Sequence, residues 1–135
     1  IMKLSEDQLS TCFALRSSVT SRKYELADQL AFLTEFLGGE AVIGGDYPAW
    51  EFKADSSLRE LMAETYRDLF QEEPKIQAIH AGLECGILSG KIPDLDCVSF
   101  GPNMYDIHTP KERLSISSAE RTWKFIVEFL KRSKK

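Results

Sequence analysis

Residues able to do chemistry are few in this sequence. There are two histidines, His80 and His108, three cysteines, Cys12, Cys85 and Cys97, and a glutamate, Glu84, set between Gly82 and Gly86. His108 lies in "SFGPNMYDIHTPKERLSI", where an apolar run breaks at a Gly-Pro step and opens into a polar loop. An imidazole in such a loop can ligate zinc or act as a general acid or base near neutral pH, and it equally fits a plain surface or structural histidine. A zinc centre needs three or four ligands. The sequence has no HxxxH or HExxH spacing to supply them, so a metal site built on His108 must draw its other ligands from elsewhere.

The stretch "GLECG" can aim the Glu84 carboxylate and several N–H groups into a pocket, because glycines permit close backbone approach and positive φ. An exposed turn glutamate is the plainer reading, and both stay open. Cys85 has no neighbouring base, and the adjacent carboxylate works against a thiolate, so it reads as a small packing residue. His80, at the end of a short apolar run, reads as a structural histidine. Arg16, in "FALRSSV", offers a planar fork suited to a carboxylate, or else is simply solvated.

The elements that must position these residues follow from periodicity. Alternation over Cys12 to Val19 predicts a strand with Arg16 on its polar face. Leu26, Leu30, Leu33 and Leu37 recur at helical spacing over 21–37, and Gly38-Gly39 supplies a left-handed C-cap. "EAVI" and "YPAWEF" are short and β-prone, the second limited to an edge or a bend by Pro48. A second helix begins at Ser57, boxed by Glu60, with Leu58, Leu61, Met62, Thr65 and Leu69 on one face, and stops near Glu72-Glu73-Pro74. Strands are predicted over 75–81 and 96–101, with an abbreviated helix in "GLECGILSG" between them. The last helix starts at Ser117, boxed by Glu120, and directs Ala119, Trp123, Ile126, Val127 and Leu130 inward. This order favours an α/β fold with parallel pairing in the second half, where ligands gather at the carboxyl ends of strands. "HAGLECG" and "GPNMYDIH" both follow predicted strands.

Composition narrows the partners. A chain of 135 residues that is 43% hydrophobic can bury a core, and a net charge of −4 without a long basic stripe argues against nucleic acid. The terminal "KRSKK" reads as a solvated helix end that complements the helix dipole. No apolar run approaches the roughly 20 residues needed to span a bilayer, and the start of the chain lacks the apolar core of a signal peptide. Three cysteines without a CxxC pair fit a reducing cytoplasm.

Taken together, "FALRSSV", "GDYPAWEF", "AIHAGLECGIL" and "DCVSFGPNMYDIHTPKERLSISSAERTWKFIVEFL" resemble, in this order and spacing, the C-terminal part of the aminoacyl-histidine dipeptidases. These enzymes sit in the wider family of two-zinc peptidases that includes the carnosinases. The resemblance implies a ferredoxin-like lid whose second half is residues 1–52, followed by the C-terminal segment of an α/β catalytic domain over 53–135. It implies that His108 is a ligand of Zn2+, that Arg16 holds the carboxylate of a dipeptide substrate, and that Gly82 and Glu84 line the pocket near it. The family's other metal ligands and its general base precede this region, and the sequence opens on Ile1 rather than methionine. The expectation is a fragment of a cytoplasmic dipeptidase that has no activity by itself and is compatible with a homo-oligomer. The alternative is a stand-alone oligomerising or small-ligand-binding α/β module without catalysis.

Overall fold

A computed structural model describes residues 1–80 and 84–134. Its elements are β1 (Met2–Leu4), β2 (Leu9–Thr11), α1 (Thr20–Phe36), α2 (Ser57–Phe70), α3 (Glu84–Lys91), β3 (Met104–Tyr105), β4 (Arg113–Leu114) and α4 (Ile116–Arg132). The class is mixed α/β, as the sequence predicts. The chain divides into two compact units, Ile1–Phe52 with Ala78–Lys91 and Lys53–Gln77 with Ile92–Lys135.

In the first unit, β1 and β2 form an antiparallel hairpin in the register Met2↔Thr11, Lys3↔Ser10 and Leu4↔Leu9. Its turn is closed by the Ser5 N–H donating to the Gln8 carbonyl at 2.8 Å, and Cys12 exchanges backbone bonds with Ile1 at its open end. α1 has no side-chain cap at Val19. Its orphan N–H at Thr20 donates instead to the Glu51 carboxylate, 3.0 Å away and 31 residues on. The helix stops where predicted, with Gly38 at φ +82° and the Gly38 N–H donating to the Glu35 carbonyl at 2.9 Å. The loop after it is tied back by Asp46, which accepts from Lys23 Nζ at 2.5 Å and from the Tyr24 hydroxyl at 2.6 Å, while Lys23 Nζ also donates to the Tyr47 carbonyl.

α3 lies against the segment Pro48–Trp50. A Cβ on the buried Gly86 would come within 2.9 Å of the Pro48 carbonyl oxygen, and one on Gly90 within 3.6 Å of the Pro48 ring. Glycine at position 86 is what lets the two backbones touch.

In the second unit α2 and α4 pack against each other. Ser56 caps α2 by accepting the Arg59 N–H at 3.0 Å, and Ser115 caps α4 by accepting the Ser118 N–H at 3.3 Å. Both starts precede the predicted boxes at Ser57 and Ser117. In each case another serine stands upstream of the predicted one, next to it at Ser56 and two residues before it at Ser115, and that upstream serine, in extended backbone, is the cap. Asp96 completes the α2 start, accepting from the Ser56 hydroxyl at 2.7 Å and from the Leu58 N–H at 3.1 Å. Burial pushes the Asp96 pKa up, but the Ser56 hydroxyl, the Leu58 amide and the nearby Lys53 and Arg59 charges outweigh it and hold the carboxyl below its ordinary value.

The core between these helices is aromatic. Phe125 is 7% exposed and meets Phe100 edge-on at 5.2 Å and Tyr66 at 5.9 Å, while Tyr66 also meets Phe70 at 4.8 Å. Thr65 is fully buried, its hydroxyl donating to the Leu61 carbonyl at 2.7 Å. At the rim, Arg132 joins α4 to α2 through Asp68 at 2.6 Å and also bonds Glu128 at 3.2 Å.

Several expectations are corrected. Segments 12–19, 40–43, 47–52 and 96–101, and the described part of 75–81, form no ladder, and both sheets are antiparallel hairpins rather than a parallel sheet. Alternation shows that a segment suits a sheet, but a ladder also needs a neighbouring edge. Here the fixed points are side chains, as where Tyr47 N–H donates to Asp46 Oδ1 at 2.8 Å. On α1 the expected inner face is open, with Leu26, Leu33 and Leu37 exposed and Ala27 buried. On α4 Trp123 and Leu130 are exposed and Phe125 is the buried residue. The helix carries apolar residues on two sides, about 200° apart for positions 123 and 125, and α2 covers the Phe125 side.

Candidate functional site

His108 sits at the tip of the β3–β4 hairpin, whose register is Met104↔Leu114 and Tyr105↔Arg113. The sequence reads this stretch as an open loop. It is instead a braced one. Asp106 accepts from Arg113 through its carboxylate, and its carbonyl accepts the Thr109 N–H at 3.2 Å and the Thr109 hydroxyl at 2.7 Å. The Thr109 carbonyl takes the Glu112 N–H at 3.1 Å, and the Thr109 hydroxyl takes the Lys111 N–H at 3.2 Å. Across the strand pair, the Arg113 guanidinium lies 5.2 Å from the centre of the Tyr105 ring.

The hairpin is also tied to the start of α4. The Asn103 N–H donates to the Ser118 hydroxyl at 2.8 Å, and the Ser115 N–H donates to the Asn103 carbonyl at 3.0 Å. The base of the His108 loop and the capped end of α4 therefore form one fixed platform.

Within this frame His108 has φ +65°, in the left-handed region that costs a non-glycine residue energy, and Asp106 has φ +52°. The His108 N–H donates to Glu112 Oε2 at 3.0 Å. Its imidazole is exposed and has no hydrogen-bond partner among the described residues. The ring can offer a nitrogen to a metal or a proton acceptor to a substrate. Among the described residues, no group of three or more His, Cys, Asp or Glu is arranged to hold a metal ion. The donor set fits one ligand contributed to a centre, not a complete centre.

Arg16 and Glu84 belong to the first unit. Arg16 is exposed in the stretch between β2 and α1. Glu84 is exposed as the first residue of α3, where a carboxylate complements the positive end of the helix dipole. Gly82 lies outside the described residues. Cys85 and Cys97 are half-buried and Cys12 is exposed, and none of the three is in a disulfide.

Two structural features escape a reading of composition and periodicity. Glu112 carries a signal in the spacing, since a carboxylate four residues after a histidine can fold back across a Pro-containing turn. The closeness of Gly86 to Pro48 carries only the i, i+4 pair of glycines, Gly86 and Gly90. An open depression on α2, lined by Arg59, Glu60, Ala63, Glu64, Arg67 and Ile76, has its guanidinium groups already engaged. Arg59 donates to the Lys53 and Ala54 carbonyls, and Arg67 to Glu73 at 3.0 Å.

Comparison with known proteins gives three concordant likenesses. Residues 36–132 match the model of Peptidase family M20/M25/M40. Over 131 residues, 97% of its length, the chain is 34% identical to the cytosol non-specific dipeptidase of Escherichia coli (strain K12), and it spans 27% of that relative. The crystal structure of aminoacylhistidine dipeptidase from Vibrio alginolyticus superposes on 86% of the chain with a TM-score of 0.74 and 32% identity, over 24% of that structure. The chain thus spans about a quarter of the length of the relatives it matches. No described helix is long and apolar enough to cross a membrane.

Proposed function

Because the chain belongs to peptidase family M20/M25/M40, we propose that it is the C-terminal part of a zinc-dependent, cytoplasmic dipeptidase that hydrolyses Xaa-His and other dipeptides. The observation that carries this reading is 34% identity maintained along 97% of the chain with a cytosolic dipeptidase. In this reading residues 1–52 are the second half of a lid and 53–135 the end of the catalytic domain.

His108 supplies one ligand to a zinc site, held out on a hairpin whose backbone is already fixed. Such a ligand needs little reorganisation when the rest of the site closes around it. Bound zinc supplies polarisation of the scissile carbonyl and activation of water for attack. Arg16 grips the substrate carboxylate through two parallel N–H donors, which fixes the dipeptide's direction as well as its position. Gly82 and Glu84 line the pocket beside the substrate. The remaining ligands and the general base come from outside the chain, so the 135 residues alone are inactive.

The test uses the full polypeptide that carries this segment, loaded with zinc and given an Xaa-His dipeptide. His108→Ala should lower zinc retention and turnover by on the order of 100-fold or more. Arg16→Ala should raise KM by roughly 10–100-fold, the loss of about 1.5–3 kcal/mol from a charge-assisted bond. A parent polypeptide without dipeptidase activity, or a His108→Ala protein with undiminished zinc and turnover, would show the proposal to be wrong.

A further inference from the structure

We propose that Glu112 is a positioning residue that sets the direction of the His108 ring by holding its backbone in the left-handed conformation. The inference rests on the reading of His108 as a metal ligand and extends it to a residue that touches neither metal nor substrate. His108 is one of four non-glycine residues with positive φ in the described chain. Such a conformation persists only where the surroundings over-determine it. The bond that fixes this one is the His108 N–H to Glu112 Oε2 contact of 3.0 Å.

Glu112 is itself held from both sides. Its own N–H donates to the Thr109 carbonyl at 3.1 Å, and the next residue, Arg113, starts β4 and pairs with the Asp106 carboxylate. The carboxylate is therefore delivered to the His108 amide by a closed set of bonds, and rotation of the His108 φ into the ordinary negative range would leave that acceptor without its donor. Because the Cα–Cβ direction follows the backbone, a change of φ at position 108 redirects the imidazole as a whole. The ring is left free of hydrogen bonds to described residues while its backbone is constrained, which is the arrangement expected when aim matters more than local packing.

The charge of Glu112 is incidental in this role, since what is required is an acceptor at the right reach. Glutamine at 112 keeps an acceptor oxygen on a side chain of the same length, and alanine removes it.

The experiment measures zinc retained per polypeptide after exchange into metal-free buffer, together with kcat and KM, in the full polypeptide carrying this segment. Glu112→Ala should weaken zinc retention by on the order of 10-fold or more and lower kcat with little change in KM. Glu112→Gln should restore most of both. Circular dichroism verifies that each variant is folded, and the glutamine variant serves if the alanine one is not. Undiminished zinc retention in Glu112→Ala, alongside zinc loss in His108→Ala, would overturn the positioning role while sparing the ligand. Glu112→Gln as impaired as Glu112→Ala would overturn it too, by pointing to charge. Full zinc retention in His108→Ala would remove the ligand reading and with it the basis for this one.

Discussion

Replacing Gly86 by alanine adds one methyl group at the point where α3 meets the Pro48–Trp50 segment. Two effects oppose each other. Alanine is favoured over glycine in a helix interior by about 0.8–1 kcal/mol. Against this, the new Cβ would stand 2.9 Å from the Pro48 carbonyl oxygen and 3.5 Å from the Trp50 Cβ. The first of these is a backbone atom, so relief requires moving a chain segment rather than rotating a side chain. Overpacking of that kind costs about 1–3 kcal/mol. The sum is a loss of up to about 2 kcal/mol. Gly90 provides the control, since its added Cβ would meet the Pro48 ring at 3.6 and 3.8 Å, ordinary contact. Gly90→Ala should therefore be neutral or stabilising by up to about 1 kcal/mol, reduced by its place near the helix end. Hydrogen exchange of α3 amides, followed by mass spectrometry in the full polypeptide, reads the local opening free energy directly. The two variants should differ by about 1–3 kcal/mol, on the order of 5- to 150-fold in exchange rate. Slower exchange in Gly86→Ala than in Gly90→Ala would refute the close approach as the reason for glycine at 86.

Asp96→Ala should destabilise the second unit by about 1–2 kcal/mol near neutral pH, through the lost bonds to the Ser56 hydroxyl and Leu58 amide. Because the folded carboxyl titrates below its unfolded value, its contribution is complete above about pH 4 and disappears as the pH falls through the depressed folded pKa. Denaturant titrations at pH 7 and pH 3 should accordingly show the gap between parent and variant narrowing in acid, and a gap that widens would contradict the assignment. Phe125→Ala should cost about 3–5 kcal/mol, since the ring is 7% exposed among Phe100, Tyr66 and Phe129. A loss below about 1 kcal/mol in the same titrations would mean that the α2–α4 contact is not where the stability lies.

The helices were legible because their signals are local. Leu26 to Leu37 with Gly38 behind them defines α1 to within a residue at each end, and the run from Ser117 to Leu130 does nearly as well for α4. What periodicity does not encode is which side of a helix meets a neighbour when both sides are apolar, as Trp123 and Phe125 show. The strands failed for a related reason. "DCVSFG" has the composition of a buried strand, but what fixes its first residue is a carboxylate bound to a helix start 38 and 40 residues earlier. At the candidate site, the motif around His108 was visible and its frame was not. The hairpin strands, Met104–Tyr105 and Arg113–Leu114, are two residues each, too short for alternation to show, and the hairpin closes through side chains from both strands and α4.

α1 and α2 each depend on a distant carboxylate at their first turn, Glu51 for Thr20 and Asp96 for Leu58. α2 can start on its own Ser56 cap, whereas α1 has no side-chain cap, and in both the amide that reaches the distant carboxylate waits for a chain closure of 31 or 38 residues. Those two amides, Thr20 and Leu58, should consequently gain protection late in folding and lose it early. The Thr20 and Leu58 amides thus become clocks for assembly, each timing a chain closure within its own unit.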